Sequence, residues 1–369
     1  MTDETHPASR WAPPAAPAGP PPWHPPDGQQ APDRERPGAA PPAGQTPVGT
    51  VAPPRRAMSE RLAGLDRQPT VHARGWRKLL GLGPKRALIE QDEDEKWLRA
   101  VFPRGAVTIA VAQPKGGSGK TTTALGLGAA FGLARGGGTV VWDNNELRGT
   151  LADRSFSAHR RTVVDLLDMW RRQTGQLGSE EAAWARLTLT DVTSQLNYQP
   201  TGMFYALGSS AEAGEQITAD DFKIVRSILT RFFQVVIVDT GNNEVAANWL
   251  EAVHNADVLV VPTKWKKDHI KPAFRMIETL EGQKRAVAER CVVVGTNGPG
   301  DSVPTVRAQV TDWMGEGMRV LEVPTDPHLN EGAELDWTLM APTTHRAYQH
   351  IGAVCCKVMA DYFSSDAAK

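Results

Sequence analysis

Val107-Thr108-Ile109-Ala110-Val111-Ala112-Gln113-Pro114-Lys115-Gly116-Gly117-Ser118-Gly119-Lys120-Thr121-Thr122 decides the fold. Its first half is apolar and β-branched and reads as a strand. Its second half is a glycine-rich turn, and a helical run from Thr123 to Leu133 leaves it. Strand, Gly-rich loop, Lys-Thr, then helix is the order in which a backbone wraps a phosphate. Gly116, Gly117 and Gly119 reach backbone angles closed to other residues, which lets the chain approach an anion closely. The loop N–H groups, with Ser118 and Thr122 in the same turn, then point inward, and the helix adds its positive N-terminal end. Lys120 supplies a charge for β- and γ-phosphates, and the Thr121 hydroxyl is placed to ligate Mg²⁺. The bland alternative is a Gly-rich turn before an ordinary helix, which does not require all of these features at once.

Outward from this stretch, apolar runs recur at Thr139–Trp142, Met203–Leu207, Val235–Val238, Val258–Val261, Cys291–Val294 and Val320–Val323. Candidate helices alternate with them: Thr122–Arg135, Val163–Arg172, Ala219–Phe232, Ala246–Val253, His269–Leu280, Thr305–Met314 and a last one from Thr343 to Phe363. Thr218-Ala219-Asp220-Asp221 reads as an N-cap with an acidic first turn. Near-continuous apolar strands separated by helices imply an α/β fold of the P-loop NTPase kind, a mostly parallel twisted sheet with helices on both faces.

Two strand ends carry chemistry. Phe233-Gln234-Val235-Val236-Ile237-Val238-Asp239-Thr240 is an apolar strand closing in a carboxylate. Such a charge is costly unless paired or near a metal, so Asp239 is a second Mg²⁺ candidate beside Thr121. Val140-Val141-Trp142-Asp143-Asn144-Asn145-Glu146 places Asp143 on the ligand side of an open α/β sheet.

Composition bounds the rest. The net charge of the 369 residues is -1, which gives no argument for nucleic acid or an anionic membrane. The three cysteines, Cys291, Cys355 and Cys356, lack metal-site spacing, argue against a disulfide framework and fit a cytoplasmic protein. No run is apolar and long enough to span a bilayer, and Met1-Thr2-Asp3-Glu4-Thr5 has no secretory character. Residues 1–56 are rich in Pro and Ala, for example Pro20-Pro21-Pro22, and almost devoid of large aliphatics. They read as a disordered tail, either an inert spacer or a docking segment for a protein partner with Trp11 and Trp23 as anchors. Residues 57–104 read as a basic linker with short helices, one of them Glu95 to Phe102. Arg55, Arg56, Arg74, Arg77, Lys78, Lys85 and Arg86 make 55–86 a candidate surface for non-specific DNA, a membrane or a partner. Residues 105–364 remain as the nucleotide-binding domain. His345 and His350 have no third ligand and read as ordinary helix residues, and Trp249, Trp265, Trp313 and Trp337 as packing.

Lys115 narrows the class. A plain phosphate loop needs only Lys120. The extra lysine makes the run Lys-Gly-Gly-x-Gly-Lys-Thr-Thr, which resembles the deviant Walker A motif of the ParA/MinD family. The resemblance covers about residues 105 to 360 and implies an ATPase using ATP and Mg²⁺, with an ATP-dependent homodimer formed face to face. By motif match Lys115 reaches the partner's nucleotide, and Asp239 is the Walker B carboxylate. Asp143 is the first Asp of the switch I pattern Asp-x-Asp, and Asn297 and the Pro324-Thr325-Asp326-Pro327 loop contact the adenine. The chain departs from the family at Asn145, which replaces the second switch Asp. Asn can orient a water but cannot act as a base, so either Glu146 substitutes or hydrolysis is slow. The Pro-rich tail, Gly75-Trp76-Arg77-Lys78 and Asp239-Thr240-Gly241-Asn242-Asn243 resemble actinobacterial MinD-like ATPases of type VII secretion loci. The rival readings are a plasmid or chromosome partition ATPase that binds DNA through residues 55–86, and an ATP-binding adaptor with little hydrolysis.

Overall fold

The computed structural model describes residues 84–145, 149–209, 217–283, 286–312 and 318–366. The Pro-rich tail, most of the basic stretch 55–86, Glu146 and Trp313 lie outside the described residues. Eight strands form one sheet: β1 (Val107–Val111), β2 (Thr139–Asn144), β3 (Asn197–Gln199), β4 (Phe204–Leu207), β5 (Val235–Thr240), β6 (Val258–Thr263), β7 (Cys291–Thr296) and β8 (Arg319–Val323). Their order is β3-β4-β2-β5-β1-β6-β7-β8. Every pairing is parallel except β3 with β4. The described helices are α1 (Pro84–Leu98), α2 (Lys120–Arg135), α3 (Leu151–Arg154), α4 (Val163–Leu177), α5 (Glu180–Arg186), α6 (Leu189–Thr193), α7 (Ala219–Phe232), α8 (Ala247–His254), α9 (Lys267–Gly282), α10 (Pro304–Asp312), α11 (Pro327–Glu331) and α12 (Pro342–Asp366).

The central parallel strands are largely apolar because both sheet faces are covered. Alternate residues face opposite sides, as strand geometry demands. Val107, Ile109 and Val111 of β1, Ile237 of β5 and Val260 of β6 pack with Leu127 and Phe131 of α2 and with Tyr348 and Ile351 of α12. On the other face, Leu259 and Val261 meet Trp249 of α8 and Ile270 and Phe274 of α9. Trp142, Val236 and Val238 meet Leu166 of α4 and Phe222 of α7. The expected cap on α7 is a full capping box between Thr218 and Asp221.

Three features differ from the sequence reading. The helix expected at Glu95 to Phe102 runs instead as α1 and packs on α12, with Leu98 in the same core as Ile351. The antiparallel β3 has no apolar run to announce it. The short helices α3, α5, α6 and α11 fall below the length at which apolar periodicity is visible. No helix among the described residues is long and apolar enough to cross a membrane.

Candidate functional site

β1 ends in the glycine loop at the C-terminal edge of the sheet, between the ends of β5 and β6. Gln113 is fully buried and ties the loop's start to α9: its Nε2 donates to the His269 carbonyl at 3.2 Å, and its Oε1 accepts from Lys115 N at 3.3 Å. Gly117 (φ 71°) and Gly119 (φ 90°) take the left-handed conformation that bends the loop over the helix start. Thr296, at the end of β7, clamps the turn by donating from Oγ1 to the Ser118 carbonyl at 3.0 Å. A Cβ on Gly119 would lie 3.0 Å from the Thr296 methyl. Gly119 caps α2 without a side-chain hydrogen bond, so the first N–H groups of α2 remain for a ligand. Lys120 Nζ donates to the Gln113 carbonyl at 2.8 Å and to Asn242 Oδ1. Burial lowers its pKa, and the Asp239 carboxylate works against that shift.

Asp143 and Asp239 are register partners on the neighbouring strands β2 and β5. Thr121 Oγ1 donates to Asp239 Oδ2 at 2.7 Å and lies 3.0 Å from Thr150 Oγ1. Asp239 Oδ1 is buried without a partner. Burial, with the neighbouring Asp143 charge second, pushes the Asp239 carboxyl up to about 8. A hydroxyl beside a carboxylate, one of whose oxygens is orphaned, forms an all-oxygen set suited to a hard divalent cation, so the residues fit Mg²⁺. Asp143 is hydrogen-bonded within the chain. It is 2 % exposed and absent from the cleft wall. It accepts from Asn145 N at 3.1 Å and from Leu151 N at the start of α3 at 3.3 Å. A Cβ on Gly149 would fall 1.9 Å from its Oδ2. Burial raises this carboxyl to about 6. Asn145, two residues on, lines the cleft.

The cleft measures about 480 Å³ and is lined by Gly116 through Thr122, Asn145 and Asp239 at one end and by Asn297, Val323, Pro324 and Leu329 at the other. Asn297 Nδ2 donates to Glu322 Oε1 at 2.7 Å and to the Val323 carbonyl at 2.9 Å. Asp326, expected in the base loop, is bonded within the chain. It is 1 % exposed, caps α11 through His328 N at 3.0 Å, and accepts from Ala341 N at 2.9 Å and Thr344 Oγ1 at 2.6 Å. Its oxygens are committed to joining α11 to α12, and it is not on the cleft wall. Lys115 is likewise off the wall of its own cleft, with Nζ 3.9 Å from Asp268 Oδ2. The sequence reading passed over Thr150, Arg154 and Lys264, which line the cleft. Thr150 follows Asp143 closely enough for a second hydroxyl in the switch segment to be a signal; Arg154 and Lys264 offered none. Trp249, Trp265 and Trp337 are buried in packing, and His345 Nε2 sits 2.6 Å from the Trp337 carbonyl.

Compared with known proteins, the chain matches no family model. It is 25% identical over 295 residues to the ESX-1 secretion-associated protein EspI of Mycobacterium tuberculosis, in strains CDC 1551 / Oshkosh and H37Rv. The match covers 77% of this chain but only 42% of the relative, so the chain spans about two-fifths of the length of the curated relatives it matches. Among solved structures it resembles the cell division ATPase MinD of Pyrococcus furiosus (TM-score 0.50, 15% identity, 69% of this chain and 99% of that one). It also resembles a ParA family ATPase of Chlorobium tepidum TLS (TM-score 0.51, 13% identity, 70% and 97%). The fold is that of the ParA/MinD P-loop ATPases.

Proposed function

We propose that this chain is a Mg²⁺-dependent ATPase of ParA/MinD type, acting as a nucleotide-controlled dimeric switch in type VII secretion or subcellular positioning. One observation carries the nucleotide reading: Thr121 hydrogen-bonded to Asp239, whose second oxygen is orphaned, beside Lys120 at an uncapped helix start. In this reading the loop N–H groups and Lys120 bind the phosphates and offset the charge that grows during transfer. Thr121 and Asp239 hold Mg²⁺, which when bound neutralises phosphate charge. Asn145 orients the attacking water through its amide and takes no proton, because an amide is not a base at neutral pH. The presence of Asn145 on the cleft wall, with Asp143 folded away beneath it, also favours the adaptor reading, in which the ATP-loaded state persists. The secretion branch rests on the EspI likeness and on the tail and linker motifs.

One experiment tests enzyme and switch together: binding and steady-state hydrolysis of Mg-ATP by the full chain, Lys120→Ala and Asn145→Asp. Removing Lys120 leaves phosphate charge unpaired and is expected to weaken ATP binding about 100-fold or more. Supplying a carboxylate at 145 is expected to raise turnover about 100-fold without changing affinity. Absence of ATP binding by the parent, or parental affinity in Lys120→Ala, overturns the nucleotide reading. Brisk parental turnover left unchanged in Asn145→Asp overturns the slow-switch reading.

A further inference from the structure

Behind Asn297 lies a group of side chains that no phosphate chemistry explains. Glu322 of β8 accepts at Oε1 from Asn297 Nδ2 at 2.7 Å and from the Trp265 indole Nε1 at 2.8 Å, and at Oε2 from the Arg307 guanidinium. Trp265 is itself tightly packed. It is 2 % exposed, and its ring lies so close to β7 that a Cβ on Gly295 would come within 1.9 Å of it. Glu322 and Arg307 line a separate crevice behind the nucleotide cleft, and Asn297 lines both.

This arrangement settles which way the Asn297 amide faces. Both groups met by Nδ2, the Glu322 carboxylate and the Val323 carbonyl, are acceptors, so the amide nitrogen must sit there. Turning the amide over would place Oδ1 against two acceptor oxygens. Oδ1 is therefore held on the remaining side, buried and without any partner in the chain. A buried carbonyl oxygen in that position is completed by an arriving N–H donor and opposed by an arriving carbonyl.

We propose that Glu322 is a positioning residue for base selection: braced by Trp265 and Arg307, it locks the Asn297 amide so that the cleft accepts a purine bearing a 6-amino group and rejects its 6-oxo counterpart. The inference rests on the nucleotide reading above and adds to it the device that sets the base. It also explains why a carboxylate stands on β8 where it touches no phosphate-binding residue. A site built to meet one polar group of a substrate discriminates strongly against the analogue that replaces it, because its own buried polar group is left unpaired.

The test displaces a fluorescent ATP analogue from the full chain with ATP, ITP and tripolyphosphate. ITP differs from ATP at the position the lock reads, and tripolyphosphate lacks the base. The parent is expected to prefer ATP over ITP by about 10-fold or more. In Glu322→Ala the amide keeps only the Val323 carbonyl to orient it, and the ratio is expected to fall to about threefold or less while tripolyphosphate affinity stays within about twofold. Arg307→Met removes one brace from a half-exposed helix position and is expected to lower the ratio part of the way, which keeps the test open if Glu322→Ala fails to fold. An unchanged ATP-to-ITP ratio in both variants, or equal loss of tripolyphosphate and ATP, overturns the lock while leaving the nucleotide site standing. A parent that does not bind the analogue overturns the nucleotide reading and the lock with it.

Discussion

Asp239 and Asp143 show the energetic consequence of ending two neighbouring buried strands in carboxylates. In the chain alone, burial disfavours both charges, and a neighbouring acid adds to each shift, Asp143 at Asp239 and Asp153 at Asp143. Their pKa values lie above the ordinary 3.8, at about 8 and about 6. The folded state is thus favoured while both groups are protonated. That contribution is complete below about pH 4 and is lost as the pH rises through about 6 and then about 8. Asp239→Asn removes the larger share of it. Thermal melting without nucleotide at pH 8 is expected to give a higher Tm for the variant than for the parent, at about 2–4 °C per kcal/mol recovered. The two should converge near pH 4, and stabilisation of the variant by Mg-ATP should be lost. Equal pH profiles in parent and variant would show that the carboxyl is not held in a strained ionisation state. Asp239 was legible in the sequence because a charge closing an apolar strand is costly unless a cation or a hydrogen-bond donor meets it. The capping role of Asp326 was equally open to the sequence, because an Asp before a Pro at a helix start serves as an N-cap.

α2 is the element on which the loop depends, and its glycines are structural in a way periodicity does not reveal. Gly126 faces the Tyr348 ring, Gly128 faces Val141 and Phe204, and a Cβ on Gly132 would come within 2.3 Å of the Gly202 carbonyl oxygen. The last contact is with backbone, in a turn where Met203 already adopts a positive φ of 54°, so no rotamer change relieves it. Gly132→Ala is expected to cost about 1–3 kcal/mol through overpacking. Gly175→Ala, in exposed α4 where nothing lies within 4 Å, is expected to gain up to about 1 kcal/mol by helix propensity. Chemical denaturation of the two variants checks this, and a like sign for both would defeat the packing account. The same contrast marks the limit of what was legible. The parallel strands and long helices were readable, since each is an apolar run or a periodic face buried on a shared sheet. β3 was not, because Asn197-Tyr198-Gln199 owes its strand to pairing with β4. Cross-chain partners such as Tyr348 for Gly126, or Glu322 for Asn297, are long-range contacts that no local pattern encodes.

At the scale of the whole molecule, Lys115 stands apart from the loop it belongs to. The residues that follow it, Gly116 to Thr122, line the cleft, whereas Lys115 does not. Its side chain is 45% exposed and its nearest acid, Asp268, is 62% exposed. A surface pair of that kind is worth about 0–1 kcal/mol and does not restrain the lysine. On the proposed dimeric reading, a cation carried next to a phosphate cradle, yet outside its wall, would meet a nucleotide in another copy of the chain. Two copies facing each other across their loops would each present Lys115 to the other's phosphates, and the charge repulsion between two nucleotides would be offset there. Light scattering behind size exclusion is therefore expected to show the parent doubling in mass with Mg-ATP when turnover is slow. Lys115→Ala should remain monomeric while keeping ATP affinity within about threefold, because it removes no contact from its own cleft. A parent that stays monomeric when saturated with ATP, or a Lys115→Ala variant that dimerises as the parent does, removes the reason for the second lysine. Selective loss of dimerisation would instead tie the first residue of the loop to assembly and the remaining ones to binding.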